Sequence, residues 1–311
     1  MAPLKSLQVD FPIIDSNFQQ FCACHGIFSV EDFLVHDLYL LAAFAEEHCT
    51  SDRLKQGITQ ILSIIDSLHQ PWLNGLELWE FSQKSNHLVA TGCERIDAFL
   101  QGGLRLGLLT ELVGPSSSGK TQICLQAASS CARTRLGRVI YIDTGNSFSA
   151  KRIAYFVCRS HLANSEVDKV VMQILENIYC VPVYDIFTLL DMLHQLLKDL
   201  TSQKCCYLRM LIIDSISSLI TPVLGGAGTQ GHALMASVGF LLKKLAHEHN
   251  LAVLMTNHMV AGEGGITKPA LGESWKSIPH VRLMLSRNPS SMSILRHPSR
   301  AVADRVEFTV F

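Results

Sequence analysis

A loop of eight residues between an apolar strand and a helix constrains this chain more than any other feature. The sequence Gly-Pro-Ser-Ser-Ser-Gly-Lys-Thr at 114–121 fits the spacing G-x-x-x-x-G-K followed by Ser or Thr in full. It follows the apolar run Leu108–Val113 and opens the helical pattern Thr121–Arg133. In this context the loop predicts a binding site for the phosphates of a nucleoside triphosphate. The alternative is a chance Gly/Ser-rich loop, which both flanking elements disfavour.

Each residue type in this loop has a chemical purpose. Backbone N–H groups and the N-terminus of the following helix bind phosphate oxygens. We expect Lys120 to contact the β- and γ-phosphates and the Thr121 hydroxyl to coordinate Mg²⁺. The predicted cofactors are therefore ATP and Mg²⁺, held by Gly114, Pro115, Ser116, Ser117, Ser118, Gly119, Lys120 and Thr121.

A second apolar run, Leu208–Asp214, ends in a carboxylate. In enzymes with such a phosphate loop, a strand of this kind holds Mg²⁺ through its aspartate, so Asp214 is predicted to bind the metal through water. An ordinary buried strand followed by a helix-capping Asp is the alternative.

Apolar runs and helical patterns alternate from about residue 90 onward. Strands separated by helices indicate a largely parallel sheet covered on both faces, an α/β fold. The predicted strands are Leu108–Val113, Arg138–Asp143, Leu208–Asp214 and Leu251–Thr256, and the helices between them include Thr121–Arg133, Ile186–Leu200 and Leu234–His249.

The first 70 residues predict a small all-helical domain. Leu34, Leu38 and Leu41 have the spacing of one helix face, and a second set repeats it at Leu54, Ile58, Ile61 and Ile65. Pro71 and the pair Asn74-Gly75 break both periodicities, which indicates a connector. The predicted organisation is a helical domain at 1–70, a linker at 71–89 and an ATP-binding core at 90–311.

Composition excludes several other classes. Hydrophobic residues make up 48% of the chain and charged residues 17%, which disfavours disorder. No apolar run approaches the ~20 residues that cross a bilayer, and the N-terminus lacks the apolar core of a signal peptide. We therefore expect an intracellular protein that does not use a membrane as a partner.

Several segments besides the phosphate loop have a family pattern, namely Gly26–Leu34, Thr91-Gly92, Gly102-Gly103, Thr110-Glu111, Gln122, Val139–Thr144, Phe148, Arg152, Thr256–His258, Lys268–Gly272 and Trp275. Together they resemble the RecA-like recombinases, and the resemblance extends over nearly the whole chain. It implies a RecA-like ATPase core, homologous recombination and DNA repair in the nucleus, and action in complexes of several paralogues. Among the eukaryotic branches it is most similar to the D-type paralogues, of plant type.

Two departures from the active recombinases concern ATP use. Active members carry a catalytic glutamate directly after the Asp-Thr of the second strand, where this chain has Gly145 and Asn146. The sensor glutamine of the family is replaced by His258, which can still hydrogen-bond a phosphate. We therefore assign no catalytic residue, include His258 among the nucleotide-binding residues, and expect at most weak DNA-dependent ATPase activity. A polar residue without a ligand role is the alternative for His258.

Charge is distributed unevenly along the chain, and this bears on its partners. Residues 1–70 carry three Lys/Arg against nine Asp/Glu, a net −6, so we expect this domain to dock a protein rather than DNA. No Lys or Arg occurs between Asp214 and Lys243, where the first DNA-contacting loop of the family would lie at 225–231. The second loop, at 259–267, contains Glu263, whereas residues 268–311 carry seven Lys/Arg against three acids. Single-stranded DNA is thus predicted to bind only weakly to the chain alone.

The favoured hypothesis is an ATP-binding paralogue that assists the main recombinase on single-stranded DNA, within a hetero-oligomer of recombinase paralogues. One alternative is an autonomous strand-exchange recombinase, and another keeps ATP only as a structural ligand. A third, a small-molecule kinase or another phosphate-loop enzyme, is disfavoured by the helical N-terminal domain and the Thr-Asn-His strand end.

Overall fold

The computed structural model describes residues 4–8, 11–48, 50–68, 74–84, 88–134, 137–160, 167–202, 207–225, 230–262, 267–287, 289–302 and 304–309. The chain divides into two compact units, 1–84 and 85–311. This division falls inside the linker predicted at 71–89. Residues 71–73 and 85–87 of that linker, including Pro71, lie outside the described residues.

The N-terminal unit is built mainly from α-helices, and those between residues 4 and 68 share one apolar core. Phe18, Phe33 and Ile61 are among its fully buried side chains. The spacing predicted from Leu54 to Ile65 is confirmed, because all four residues of that set are buried. The helices are α1 (Leu4–Leu7), α2 (Ser16–Cys24), α3 (Val30–Val35), α4 (Leu38–Glu46), α5 (Ser51–Leu68) and α6 (Gly75–Lys84).

Leu34, Leu38 and Leu41 do not lie on one helix, so that expectation was wrong. Helix α3 ends before Leu38, and α4 begins there with Asp37 as its N-cap. The Asp37 carboxylate accepts two backbone N–H groups in the first turn of α4. Such a cap starts a new helix, since it satisfies donors that have no partner within the helix. The apolar spacing continues across the break and therefore conceals it.

A helix also occupies part of the predicted linker. Asn74 starts α6, because its side-chain oxygen accepts the N–H groups of Leu76 and Glu77, each at 3.0 Å. The Glu77 carboxylate in turn accepts the Asn74 N–H at 2.8 Å, which completes a capping box. The Asn-Gly pair thus begins a helix here, whereas the sequence indicated a connector without regular structure.

The second unit is an α/β core, as predicted. Its helices and strands, in chain order, are β1 (Leu88–Val89), α7 (Glu94–Phe99), β2 (Leu104–Arg105), β3 (Leu109–Val113), α8 (Lys120–Ala132), β4 (Arg138–Asp143), α9 (Ala150–Ser160), α10 (Val167–Glu176), β5 (Ile178–Pro182), α11 (Ile186–Thr201), β6 (Leu208–Asp214), α12 (Ile216–Leu224), α13 (Gln230–His249), β7 (Ala252–Asn257), β8 (Met259–Ala261), β9 (Thr267–Pro269), α14 (Gly272–Lys276), β10 (Val281–Ser286), β11 (Ser291–Arg296) and β12 (Arg305–Glu307).

An eight-stranded sheet organises this core, in the order β12-β11-β10-β3-β7-β6-β4-β5. In this spatial order, neighbouring strands from β10 through β3, β7, β6 and β4 to β5 pair in parallel. On its other side β10 pairs antiparallel with β11, which pairs antiparallel with β12. Apolar side chains of α8, α9 and α10 pack on one face, and those of α11, α12 and α13 pack on the other. Strands covered on both faces explain the near-continuous apolar runs in the sequence.

The register of the parallel strands brings polar strand ends together. Val113 at the end of β3 is level with Asn257 at the end of β7, and Asp143 of β4 is level with Asp214 of β6. In sheets of this kind the carboxyl ends of parallel strands form the ligand-binding edge. The loop at 114–121 leaves the sheet at that edge.

Candidate nucleotide-binding site

The loop at 114–121 has a backbone that depends on its glycines. Gly119, the N-cap of α8, has a φ of 95°, which residues with a Cβ rarely adopt. A Cβ on Gly114 would lie 2.6 Å from the Ser118 Oγ and 2.8 Å from the Leu285 backbone oxygen. The first and last glycines of the pattern therefore have distinct roles, one for close packing and one for chain reversal.

Lys120 lies inside this loop with only 6% of its surface exposed. Its Nζ donates hydrogen bonds to the backbone oxygens of Gly114 at 2.7 Å and Pro115 at 2.9 Å. Desolvation lowers the pKa of Lys120, and the nearby Asp214 carboxylate opposes that shift. The ammonium is thus fixed next to the loop, and its charge is incompletely compensated by the protein.

Asp214, at the end of β6, is buried and held by three hydroxyl groups. The Tyr141 hydroxyl donates to its Oδ2 at 3.0 Å, the Ser147 hydroxyl donates to the same oxygen at 3.2 Å, and the Thr256 hydroxyl donates to its Oδ1 at 2.6 Å. Burial raises the pKa of Tyr141, so its phenol remains a donor. These bonds fix the orientation of the carboxylate.

The residues present fit a bound triphosphate and Mg²⁺. The buried Ser118 Oγ has no partner among the described protein atoms, so a phosphate oxygen would satisfy it. Thr121 is half-buried in the first turn of α8. There its hydroxyl can coordinate Mg²⁺ directly, while Asp214 would bind the same ion through a water molecule. The remaining predicted residues, Pro115, Ser116 and Ser117, lie exposed on the outer part of the loop.

His258 follows β7 and reaches the same site. Its Nε2 lies 3.0 Å from the Ser215 Oγ, and its backbone N–H donates to the Ser217 Oγ at 3.2 Å. Desolvation and the Lys120 ammonium lower the pKa of His258, whereas Asp214 raises it. The structure therefore brings His258, Lys120 and Asp214 within electrostatic reach of one another.

The segment after β4 supplies no free carboxylate to the site. Asp143 is buried, and its oxygens accept the N–H groups of Gly145, Ser147 and Phe148. A Cβ on Gly145 would meet nothing within 4 Å. The Asn146 side-chain oxygen accepts the Tyr184 hydroxyl at 2.7 Å. The position predicted to lack a catalytic carboxylate is thus open to an added Cβ among the described residues.

Local sequence patterns do not reveal the groups that hold these residues in place. Tyr141, Ser147 and Thr256 were not assigned a role. Nor was the pairing of Glu111, whose buried carboxylate accepts the Asn257 Nδ2 at 2.9 Å and the Trp275 Nε1 at 2.7 Å. Its other oxygen accepts the Arg282 Nε. A single carboxylate within the apolar run Leu109–Val113 was the available signal.

The predicted DNA-contacting loops are only partly described. Gln230 and Gly231 of the first loop belong to α13, and its residues 226–229 lie outside the described residues. The second loop, predicted at 259–267, contains the strand β8 and the first residue of β9, which pair antiparallel, and its residues 263–266, including Glu263, lie outside the described residues. Among the helices that the structure describes, none combines the length and hydropathy needed to cross a bilayer.

Comparisons with known proteins agree with this geometry. Residues 83–289 match the Rad51 family. The chain is 36% identical over 225 residues to the DNA repair protein RAD51 homolog 4 of Bos taurus, with 71% of this chain and 68% of that protein covered. It is 35% identical over 217 residues to the Mus musculus protein of the same name, covering 68% of this chain and 65% of that protein. It is also 27% identical over 288 residues to the meiotic recombination protein DMC1 homolog A of Oryza sativa subsp. indica, with 87% and 78% covered.

Proposed function

The chain belongs to the Rad51 family, and we propose that it is an ATP-binding DNA-repair protein of homologous recombination. It acts within a complex of recombinase paralogues that assists the main recombinase on single-stranded DNA. The observation that most supports this proposal is that the loop, Lys120 and Asp214 lie at one edge of the sheet. Beside them is Gly145, which has no side chain and leaves space for a Cβ.

Binding of the nucleotide is assigned to the loop at 114–121, with Lys120 exchanging its backbone carbonyl partners for phosphate oxygens. Thr121 and, through water, Asp214 would hold Mg²⁺, which neutralises phosphate charge. His258 faces the same space as a neutral hydrogen-bonding group. None of these side chains is placed to remove a proton from water at the Gly145 position, so hydrolysis is slow.

Nucleotide binding and turnover can be tested separately. We expect the isolated chain to bind a fluorescent ATP analogue in the presence of Mg²⁺, and Lys120→Ala to weaken that binding on the order of 100-fold, since it removes a desolvated charge contact. Lys198→Ala, an exposed change on α11, is the control and should leave affinity unchanged. Rapid phosphate release stimulated by single-stranded DNA would contradict the proposal that this chain hydrolyses ATP slowly.

ATP as a purely structural ligand predicts a different pattern, and Lys120→Arg tests it. A structural role predicts that this variant fails to co-purify with its partners and has no DNA defect of its own. If ATP instead has an active role in assembly on DNA, the variant should also lose binding of single-stranded DNA. Mass spectrometry of the co-purified proteins and a strand-binding assay distinguish the two.

The N-terminal unit is assigned to partner docking. Its negative charge disfavours DNA, and α3 and α4 expose apolar side chains, with Val35 84%, Tyr39 88% and Leu40 52% exposed. The partners are other recombinase paralogues, in keeping with the resemblance to the D-type branch. In the full-length chain, Tyr39→Ser with Leu40→Ser should reduce co-purification of those paralogues and leave nucleotide binding intact. Unchanged co-purification would place docking elsewhere.

The cellular setting follows from the same family. Recombination proteins of this kind work on chromosomal DNA, so the chain is expected in the nucleus, and the plant-type resemblance remains a prediction about its source. Imaging of the tagged chain tests the first expectation directly, and exclusion from the nucleus would contradict it.

A further inference from the structure

A basic pocket opens in the C-terminal part of the core. It has a volume of about 450 Å³ and is lined by residues of β9, α14, β10 and β11, none of them from the phosphate loop. The charged lining residues comprise four cations and one carboxylate, namely Lys268, Lys276, Arg282, Arg296 and Glu273. The pocket is therefore suited to an anion.

Two of the four cations have no acidic partner among the described residues. Glu273 pairs with Lys276 at 3.3 Å, and Arg282 pairs with the buried Glu111. Lys268 is exposed, and the Arg296 Nη1 donates to the backbone oxygen of Lys276 at 3.0 Å. That bond orients the guanidinium without neutralising it. An oriented guanidinium and a nearby ammonium together match the geometry and charge of a phosphate.

The strand that carries Lys268 is hydrogen-bonded to the nucleotide site. Lys268 pairs with Val260 across the ribbon of β8 and β9. The Ala270 N–H donates to the His258 backbone oxygen at 2.9 Å, and the Asn257 Nδ2 donates to the Ala270 backbone oxygen at 3.1 Å. A ligand that fixed β9 would thereby act on the residue that faces Lys120.

We propose that this pocket binds backbone phosphates of single-stranded DNA. The inference rests on the proposed function, which includes strand binding, and it assigns that binding to Lys268 and Arg296. The long stretch from Asp214 to Lys243 offers no Lys or Arg, so counterion release there is small. The pocket supplies the missing cations on an element already bonded to His258.

The test uses the full-length chain and a fluorescein-labelled oligothymidylate, with anisotropy measured over a series of NaCl concentrations. Replacing both Lys268 and Arg296 by Gln should weaken binding roughly tenfold and flatten the logarithmic salt dependence by about one unit or more. The matched control, Lys169→Gln with Lys198→Gln, removes two exposed positive charges from α10 and α11 and should retain wild-type affinity and salt dependence. Binding of a fluorescent ATP analogue by every variant confirms that the core is folded.

The possible failures are distinguishable. If the pocket variant and its control bind the strand equally, the pocket assignment is overturned while strand binding stands. If the wild-type chain binds the ATP analogue but no oligothymidylate, both the strand-binding part of the function and this inference fall. If inorganic phosphate raises the thermal stability of the wild-type chain but not of the pocket variant, and strand affinity is equal in both, the pocket takes a small anion and the inference is overturned.

Discussion

The two sides of the candidate nucleotide site differ in the chemistry that they retain. The binding side, formed by the loop at 114–121 and Asp214, has a buried ammonium, a buried hydroxyl without a partner among the described residues and an oriented carboxylate. On the side after β4, the Asp143 carboxylate accepts backbone N–H groups of the segment that follows it, and a Cβ on Gly145 would meet no described atom within 4 Å. Because the two sides lie on different strands, one can change while the other is kept. We therefore expect nucleotide binding and hydrolysis to be separable in this chain.

The largest effect is expected for the network that anchors the binding side. Glu111 on β3 is fully buried and holds Arg282, Asn257 and Trp275. Glu111→Ala leaves the Arg282 charge buried without a counter-charge, so we expect the free energy of unfolding to fall by about 3–5 kcal/mol. Denaturant-induced unfolding followed by circular dichroism measures this change.

An exposed ion pair supplies the control for that measurement. Glu248 pairs with Lys244 at 3.9 Å on the surface of α13. Glu248→Ala should change stability by less than about 1 kcal/mol, since exposed pairs contribute little. Equal losses for Glu111→Ala and Glu248→Ala would show that the buried network does not anchor the binding side.

The next largest effect is expected at Gly145, on the side of the site that follows β4. A Cβ at Gly145 would meet no described atom within 4 Å, so Gly145→Glu can introduce a carboxylate there without a clash at the Cβ. A general base typically contributes 10²–10⁴-fold, and we expect at least a roughly tenfold rise in ATP turnover from this variant. Phosphate release at saturating ATP and Mg²⁺ measures it.

Gly145→Gln is the matched variant, because it has the same size and lacks the carboxylate. It should retain the slow turnover of the wild-type chain while binding nucleotide normally. A rise in both variants would mean that filling space, rather than restoring a base, controls hydrolysis. No rise in either would mean that the site lacks more than this one group.

The local parts of this molecule were predictable and the long-range parts were not. Strands β4 and β6 begin and end at the predicted residues. Buried parallel strands appear in the sequence as continuous apolar runs, and the ends of such a run mark the ends of the strand. The phosphate loop is likewise a matter of local spacing. In contrast, Glu111 and Arg282 are 171 residues apart, and no local pattern shows which cation will meet a buried carboxylate. The break between α3 and α4 at Asp37 was not predicted, because the apolar spacing continues through it.

The smallest effect concerns His258, which faces Ser215, Lys120 and Asp214 at the junction of the two sides. Its pKa in the folded chain is lowered from the ordinary value of 6.5 by desolvation and by the Lys120 ammonium. The unfolded chain therefore takes up the proton first, and stability is lost as the pH falls through the unfolded value. His258→Gln removes this proton uptake. The wild-type chain should accordingly lose more stability than the variant between about pH 8 and about pH 5, with the other histidines cancelling in the difference. Urea unfolding across that range decides the matter: parallel curves would mean that His258 titrates alike in both states and is not coupled to the binding side.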